Sequence, residues 1–522
     1  MRFSLCFLLL LPALAPAADR VGDIAKAIDR HLEADFKARK ITPAPQADDA
    51  EFVRRVYLDL LGRIPKAADA RTFIDDKSTD KRAKLIETLL EKPSAASLLA
   101  MQYRQQWLPE TATDIQKQFS GDNFERYLQR RFAKRTPLDS LVTDILTTNV
   151  PVGAKRFLPQ TNQTVDQQGI TSFYQALDAK PENLGATVSR AWLGTKLECA
   201  QCHDHTFAPY KKEQFWNFAA FFADFNELAG QSNTFVGPVP PQFLKNRIEI
   251  PGTGKFVVAK FFDGKETDWG HEFTPMQELA NWIIDKKKPY FARNIVNRTW
   301  QQYLGIGLID PIDEPSDANP PSHPKLLDEL STMFKDADFD LHTLIAGILN
   351  SEAYQRTSRQ THATQADPRR FARMNLKGLT GVQIYQSLAT ATGYKTQPTE
   401  QNFFQPSDFN SFRALFPHPM KPADTQTSIL QALTLMNGNV VATQTSLKNS
   451  TVLAAIVEAP FFDTRKRVDA VFFTVLTRAP TVEEAEKFNS YVERGGPTGD
   501  KDQALADLFW VLLNSIEFMF NH

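Results

Sequence analysis

The sequence predicts a mainly α protein, with two helical domains separated by a small β-hairpin insertion. Three observations predict it. Apolar residues recur three and four apart along most of the chain, the period of a helix with one buried face. Asp, Asn, Gly and Pro divide these stretches into pieces of ordinary helix length. Only 227–270 changes character, with short β-like runs flanked by glycines. The chain has 522 residues, enough for several domains, and the pattern places them at 20–226, 227–270 and 271–520.

The first segment stands outside this scheme. Arg2 is a short basic start, Phe3 to Leu11 is an apolar run, and Ala15-Pro16-Ala17 is an A-x-A cleavage site. Residues 1–17 thus read as a secretory signal peptide cut near Ala17. The run is well short of the ~20 residues a membrane span needs, and no later stretch reaches 18 unbroken apolar residues. The expectation is an exported protein, periplasmic or extracellular, with no membrane span. Its formal charge of −1 lacks the basic excess of a nucleic-acid binder.

From 19 to 40 the apolar row is Ile24, Ile28, Leu32 and Phe36, four apart. Thr42-Pro43-Ala44-Pro45 ends it, and Asp48-Asp49 caps a helix that runs to Leu61 before Gly62 and Pro65. Within it Arg55 and Asp59 have the i,i+4 spacing of a modest helix pair. Further helices are expected at 67–75, 81–91, 95–107, 123–134 and 137–147, then an irregular polar stretch at 153–168 and a helix over 183–196. Residues 212–225 form a helix with an aromatic stripe of Phe215, Trp216, Phe218, Phe221, Phe222 and Phe225, fit to wall a prosthetic group or simply to fill core. β-like runs at 246–250 and 255–262 make the hairpin. Helices return at 274–285, 290–303, 324–334, 341–350 and 367–388. A loop over 400–423 precedes helices at 427–436, 440–446, 464–474, 481–491 and 500–518. The acidic run from Asp310 to Asp317 lacks the ligand spacing of a calcium loop and reads as solvated. No Walker loop, nucleophile elbow or zincin motif is present, so the sequence assigns no hydrolytic reaction and leaves open whether the protein is an enzyme.

The chain has three cysteines. Cys6 leaves with the signal, and the other two lie together in Cys199-Ala200-Gln201-Cys202-His203-Asp204-His205. C-x-x-C-H is the attachment signature of c-type haem: two thiols bond one porphyrin and the next histidine ligates its iron. Chance placement gives this pattern roughly once in ten thousand. Cys199, Cys202 and His203 are therefore candidate haem c ligands. The same residues with His205 offer a Cys₂His₂ zinc site, and the thiols alone offer a disulfide or a dithiol redox pair. A distal iron ligand is not singled out; Met101, His271, Met276, His323, His342, Met374, His418 and Met420 are the candidates.

Two groups of motifs also resemble a known family. Phe52-Val53-Arg54-Arg55-Val56-Tyr57-Leu58-Asp59-Leu60-Leu61-Gly62-Arg63-Ile64-Pro65 resembles the opening of the planctomycete cytochrome-like domain, a family of unknown function. The cysteine cluster and Ala219-Ala220-Phe221-Phe222 resemble its closing motif. Phe291-Ala292-Arg293-Asn294-Ile295-Val296-Asn297-Arg298-Thr299-Trp300 and Asn319-Pro320-Pro321-Ser322-His323-Pro324 resemble the partner domain that usually follows. So do Leu430-Gln431-Ala432-Leu433 and Leu513-Asn514-Ser515-Ile516-Glu517-Phe518. Thr206 stands where the family usually has Pro. The resemblance implies a secreted, planctomycete-type protein, often encoded beside sulfatase-like genes. It thereby implies a link to polysaccharide or sulfated-glycan breakdown, with a redox protein or a sulfatase-like neighbour as partner. It supplies no reaction, and its cytochrome label rests on the same C-x-x-C-H. Two functions follow as expectations. One is an exported monohaem-like protein with an electron-transfer or haem redox role. The other is a non-redox binding or scaffolding protein whose cluster holds zinc or a disulfide.

Overall fold

The structure is a computed structural model that describes residues 17–108, 115–150, 163–204, 210–223, 225, 247–266, 274–316, 318–394, 443 and 445–522. Apart from Ala17, where the first helix begins, the signal segment lies outside the described residues. Among the described residues there are twenty helices and two small two-stranded sheets, the mainly α class the periodicity predicts.

The first half holds α1 (Ala17–Arg39), α2 (Asp49–Leu61), α3 (Ala67–Asp75), α4 (Lys81–Leu90), α5 (Pro93–Trp107), α6 (Ile115–Ala133), α7 (Leu138–Thr147), α8 (Val165–Ala176), α9 (Pro181–Leu193) and α10 (Lys212–Ala219). The hairpin follows as β1 (Arg247–Glu249) and β2 (Phe256–Val258), antiparallel with Ile248 opposite Val257. Both of those side chains are buried while their neighbours are exposed, as a half-covered ladder requires. The second half holds α11 (Pro275–Ile284), α12 (Tyr290–Leu304), α13 (Pro324–Asp336), α14 (Leu341–Asn350), α15 (Glu352–Gln355), β3 (Lys377–Gly378), α16 (Gly381–Thr392), α17 (Thr451–Val457), α18 (Thr464–Leu476), α19 (Val482–Glu493), α20 (Lys501–Leu513) and β4 (Phe520–Asn521).

Helix α1 buries the row Ile24, Ile28, Leu32 and Phe36 against α13 and α14. The approach to α14 is close because Gly347 has no side chain: a Cβ there falls 2.3 Å from Ile24 Cγ2. Gly347→Ala is expected to cost about 1–3 kcal/mol by overpacking, read as a lowered urea midpoint with an unchanged slope.

Helix α2 is capped as its sequence predicts. Asp48 accepts the Glu51 N–H at 2.8 Å, and Gly62 takes the left-handed conformation at φ 69°, which glycine adopts without strain. What periodicity does not show is that every residue from Glu51 to Leu61 is buried. Phe52, Val53, Val56, Leu60 and Leu61 belong to a large core that extends from Ile24 to Met374. Leu58 faces a second core built by α16–α20. Burying charge requires partners, and α2 finds them in the second half. Arg54 donates to the Val475 and Phe518 carbonyls at 2.9 and 3.3 Å. Arg55 donates to the carbonyls of Tyr354 (2.6 Å), Arg356 (2.9 Å) and His522 (3.1 Å). The expected Arg55–Asp59 helix pair is replaced: Arg55 pairs with Glu51 at 2.5 Å and Asp59 with Lys377 at 2.7 Å. Arg55 thus keeps an i,i+4 partner on its own helix, one turn back rather than one turn on, while Asp59 is claimed by Lys377 packed over it. Burial raises the Glu51 carboxyl, but Arg55, the Ser358 N–H and Thr357 outweigh it and hold the group below its usual value.

Several helix assignments change. Instead of one helix over 367–388, the chain makes a 3₁₀ turn at Pro368–Arg370, strand β3, and then α16. Phe371 sits at φ 54°, Asn375 donates to the Leu304 carbonyl at 2.9 Å, and a Thr380–Gln383 capping box starts the helix late. These long-range polar bonds outcompete the local period. Residues 163–168, expected to be irregular, lead into α8 through a Thr164–Gln167 capping box, a signal the sequence did contain. Helix α17 was not anticipated. The expected loop 400–423, the helix 427–436 and most of 440–446 lie outside the described residues.

Candidate functional site

The cysteine turn is built by the two helices flanking it. Helix α9 ends at Gly194, φ 68°, where a Cβ would fall 2.7 Å from Asn294 Oδ1 of α12. Glycine thus serves both the turn and the close approach. Lys196 N–H then donates to the Asp313 carbonyl at 3.0 Å. Glu198–Gln201 forms one 3₁₀ turn with Ala200 buried beneath it. Arg190 of α9 reaches Glu198 at 3.2 Å and the Gln106 carbonyl of α5 at 2.7 Å. Burial raises the Glu198 carboxyl above its ordinary range, with Arg190 opposing. From the other side, Trp216 Nε1 of α10 donates to the Gln201 carbonyl at 3.1 Å, and Asp204 accepts the Lys212 N–H at the start of α10 at 2.9 Å.

On this frame Cys199 and Cys202 are exposed and unbridged, and His203 is exposed. His203 Nδ1 lies 2.8 Å from the Asp204 carbonyl oxygen. A carbonyl only accepts, so in the neutral ring the proton is on Nδ1 and the lone pair is on Nε2. A histidine whose other nitrogen is engaged in this way is oriented for ligation through Nε2. His205 lies outside the described residues. Among the described residues no three His, Cys, Asp or Glu side chains converge as metal ligands.

The aromatic stripe is core. Phe215, Trp216, Phe218, Phe221 and Phe222 are all buried. Phe218 meets Phe262 at 5.1 Å between ring centroids, and Phe221 meets Phe261 at 5.0 Å. Phe225 stacks on Tyr174 at 4.8 Å. The hairpin backs this layer, with Asn217 donating to the Val258 carbonyl at 2.7 Å. A cavity of about 50 Å³ is lined by Leu197, Tyr210 and Phe218. That is well below the ~300 Å³ at which ligand pockets begin.

Of the distal-ligand candidates, Met101 and Met374 are buried in apolar clusters, and Met276 packs against the main core. His323 holds Ser322 Oγ at 3.0 Å and stands 3.6 Å from Asp35. His342 lines a different cavity. His271, His418 and Met420 lie outside the described residues.

Sequence reasoning missed three residues that position the turn. Asp313, read as part of a solvated acidic loop, is instead mostly buried and pairs with Arg298 of α12. Arg298 Nε donates to Asn294 Oδ1 at 2.9 Å and its Nη2 to the Arg190 carbonyl at 2.8 Å, while Asn294 donates to the Ala191 carbonyl at 2.7 Å. Burial pulls the Arg298 guanidinium below its usual value and Asp313 opposes the shift. The signals available were the spacing of Asn294 and Arg298, four apart on one helix, and their place in the Phe291–Trp300 motif.

Comparison with known families gives two matches. Residues 27–227 match the model PSCyt2, a protein of unknown function (DUF1549), and residues 276–414 match PSD1, a protein of unknown function (DUF1553). No curated protein and no solved structure matches the chain. The N-terminal match takes in both α2 and the cysteine turn, and the C-terminal match takes in Asn294, Arg298 and Asp313, so the chain has a PSCyt2 domain followed by a PSD1 domain, both of unknown function.

Proposed function

We propose that this is an exported c-type monohaem protein with an electron-transfer or haem redox role. Cys199 and Cys202 are its thioether anchors and His203 its proximal ligand. The observation that carries this reading is the exposed, unbridged cysteine pair followed by a histidine whose Nδ1 is already engaged. The donor set fits the group. When bound, haem supplies a one-electron iron couple. The chain's own residues present and orient it. Trp216 and Asp204 fix the turn, Arg190 ties it to α5, and the Asp204 carbonyl holds the His203 ring. A group anchored on so open a turn is accessible to a protein partner, and exposure is one of the factors that set its potential. The place of this role beside sulfated-glycan breakdown rests on the family resemblance alone.

The test is expression of the full chain, signal included, with a cytochrome c maturation system. The expected result is covalently bound haem by pyridine haemochrome, absent from the Cys199→Ser/Cys202→Ser double variant. A wild-type protein with no Soret band overturns the proposal. Bound zinc would then favour a metal site, and the absence of both metal and free thiol would favour a disulfide.

A further inference from the structure

Helix α1 meets the second half of the chain at a small ionic junction near its end, with Asp35 at the centre. Asp35 Oδ1 accepts from Arg39 Nε at 2.8 Å. Its Oδ2 faces two groups from the other half, His323 Nε2 at 3.6 Å and Arg370 Nη1 at 3.8 Å. Both distances are too long for a hydrogen bond, and Oδ2 and Nε2 are each buried with no hydrogen-bond partner. His323 is 7% exposed, with its Nδ1 3.0 Å from Ser322 Oγ and the Phe371 ring beside it. Arg370 also reaches Asp367, at 3.2 Å. Two carboxylates thus balance two guanidiniums around a neutral imidazole.

A proton added to that imidazole has nothing left to balance it. Asp35 is already held by Arg39, Arg370 stands on its other side, and the largely buried cluster becomes net positive. His323 is also the N-cap of α13, where the positive end of the helix dipole repels a cation. Burial, with Arg370 and Arg39, accordingly holds the ring below its ordinary pKa against the pull of Asp35. A base whose folded pKa lies below its unfolded value of about 6.5 leaves stability intact above that pH and removes it as the pH falls.

The earlier turns of α1 respond differently. Burial raises the Asp29 carboxyl to about 6, so mild acid relieves that contact instead of straining it. Glu329, bonded to Arg30 and His31, is held below its usual value by them and stays ionised. A proton on His31 strengthens its contact with Glu329, at 2.7 Å.

We propose that Asp35, His323 and Arg370 form an acid-released latch between the two halves of the chain: protonation of His323 detaches the end of α1 from α13 and the 3₁₀ turn, while the start of α1 stays docked. The proposal does not depend on what the cysteine turn holds.

The test is hydrogen exchange of the full chain, followed segment by segment at about pH 7.5 and about pH 5 and corrected for the intrinsic pH dependence of exchange. Residues 33–40 and 322–327 are expected to lose roughly tenfold more protection than residues 22–30, the weight of one pKa unit. His323→Gln, which is neutral at every pH, should remove that difference. If the variant fails to fold by far-ultraviolet circular dichroism, the His323 ring resonances of the unaltered protein carry the test. They should titrate below about 6.5, in step with the loss of protection over 33–40. Equal loss along α1, the same differential loss in His323→Gln, or a ring that titrates at its ordinary value overturns the proposal.

Discussion

Asp59→Ala is expected to lower the unfolding free energy by about 3–5 kcal/mol, the cost of removing one partner of a buried ion pair. The Asp59 and Lys377 side chains are each only 5% exposed. Lys377 Nζ lies 2.7 and 2.8 Å from the two carboxylate oxygens. The Tyr354 hydroxyl and the Asn521 amide donate to the same carboxylate, both at 2.8 Å. Removing it strips an acceptor from three buried donors and leaves an ammonium with only the Tyr303 and Gln302 carbonyls. The pH dependence has a definite sign. Burial lowers the Lys377 pKa and Asp59 opposes that shift, so without Asp59 the folded value drops further. A base whose folded pKa lies below its unfolded value of about 10.4 destabilises most at low pH. The deficit of the variant therefore shrinks as the pH rises from the folded value toward about 10.4. Urea unfolding followed by tryptophan fluorescence across pH 7–10 reads both effects. Asp59→Leu combined with Lys377→Met should recover most of the loss. A single-variant cost below about 1 kcal/mol, a typical surface-pair value, would contradict the buried network.

Asp313→Ala is the second large effect, about 3 kcal/mol, because it leaves the Arg298 guanidinium buried without its carboxylate. Its more specific consequence is local. Arg298 also holds the Arg190 carbonyl and Asn294, and Asp313 itself meets Lys196 three residues before Cys199. Loosening that corner should raise hydrogen exchange over 195–203 by at least tenfold while the α18–α20 helices keep their protection relative to global stability. A uniform rise across the protein would mean the pair contributes only global stability. Asp313→Asn, which keeps a hydrogen-bond acceptor, should lie between wild type and the alanine variant.

The fold was legible where the controlling physics is local. Ala67–Asp75 and Leu341–Asn350 agree with expectation to the residue, because each has a clean apolar period between breakers. The α2 caps were readable from Asp48 and Gly62 alone. The stretch 367–388 was not, because Asn375 and Lys377 are fixed by groups more than 70 residues away in sequence, and periodicity carries no trace of such partners. The candidate site divides in the same way. Cys199, Cys202 and His203 were evident from spacing. Asp313 was not, since an acidic loop residue and a buried counter-ion have the same local sequence. Whether an aromatic stripe walls a prosthetic group or fills core depends on what the hairpin and α11 place against it, and only the packing of Phe261, Phe262 and Trp282 decides that.

The burial of α2 also has a consequence for the order of events during synthesis. Apart from Glu51, the groups that satisfy Arg54, Arg55 and Asp59 lie 295 to 467 positions further along the chain. Closing loops of that length carries a large entropic cost before any contact repays it, and contacts so distant in sequence slow folding. A helix that is among the first to be made is therefore among the last able to dock. Until residues near 520 arrive, burying its charges is unfavourable, so the early half of the chain is kept from closing prematurely around a core it has yet to complete.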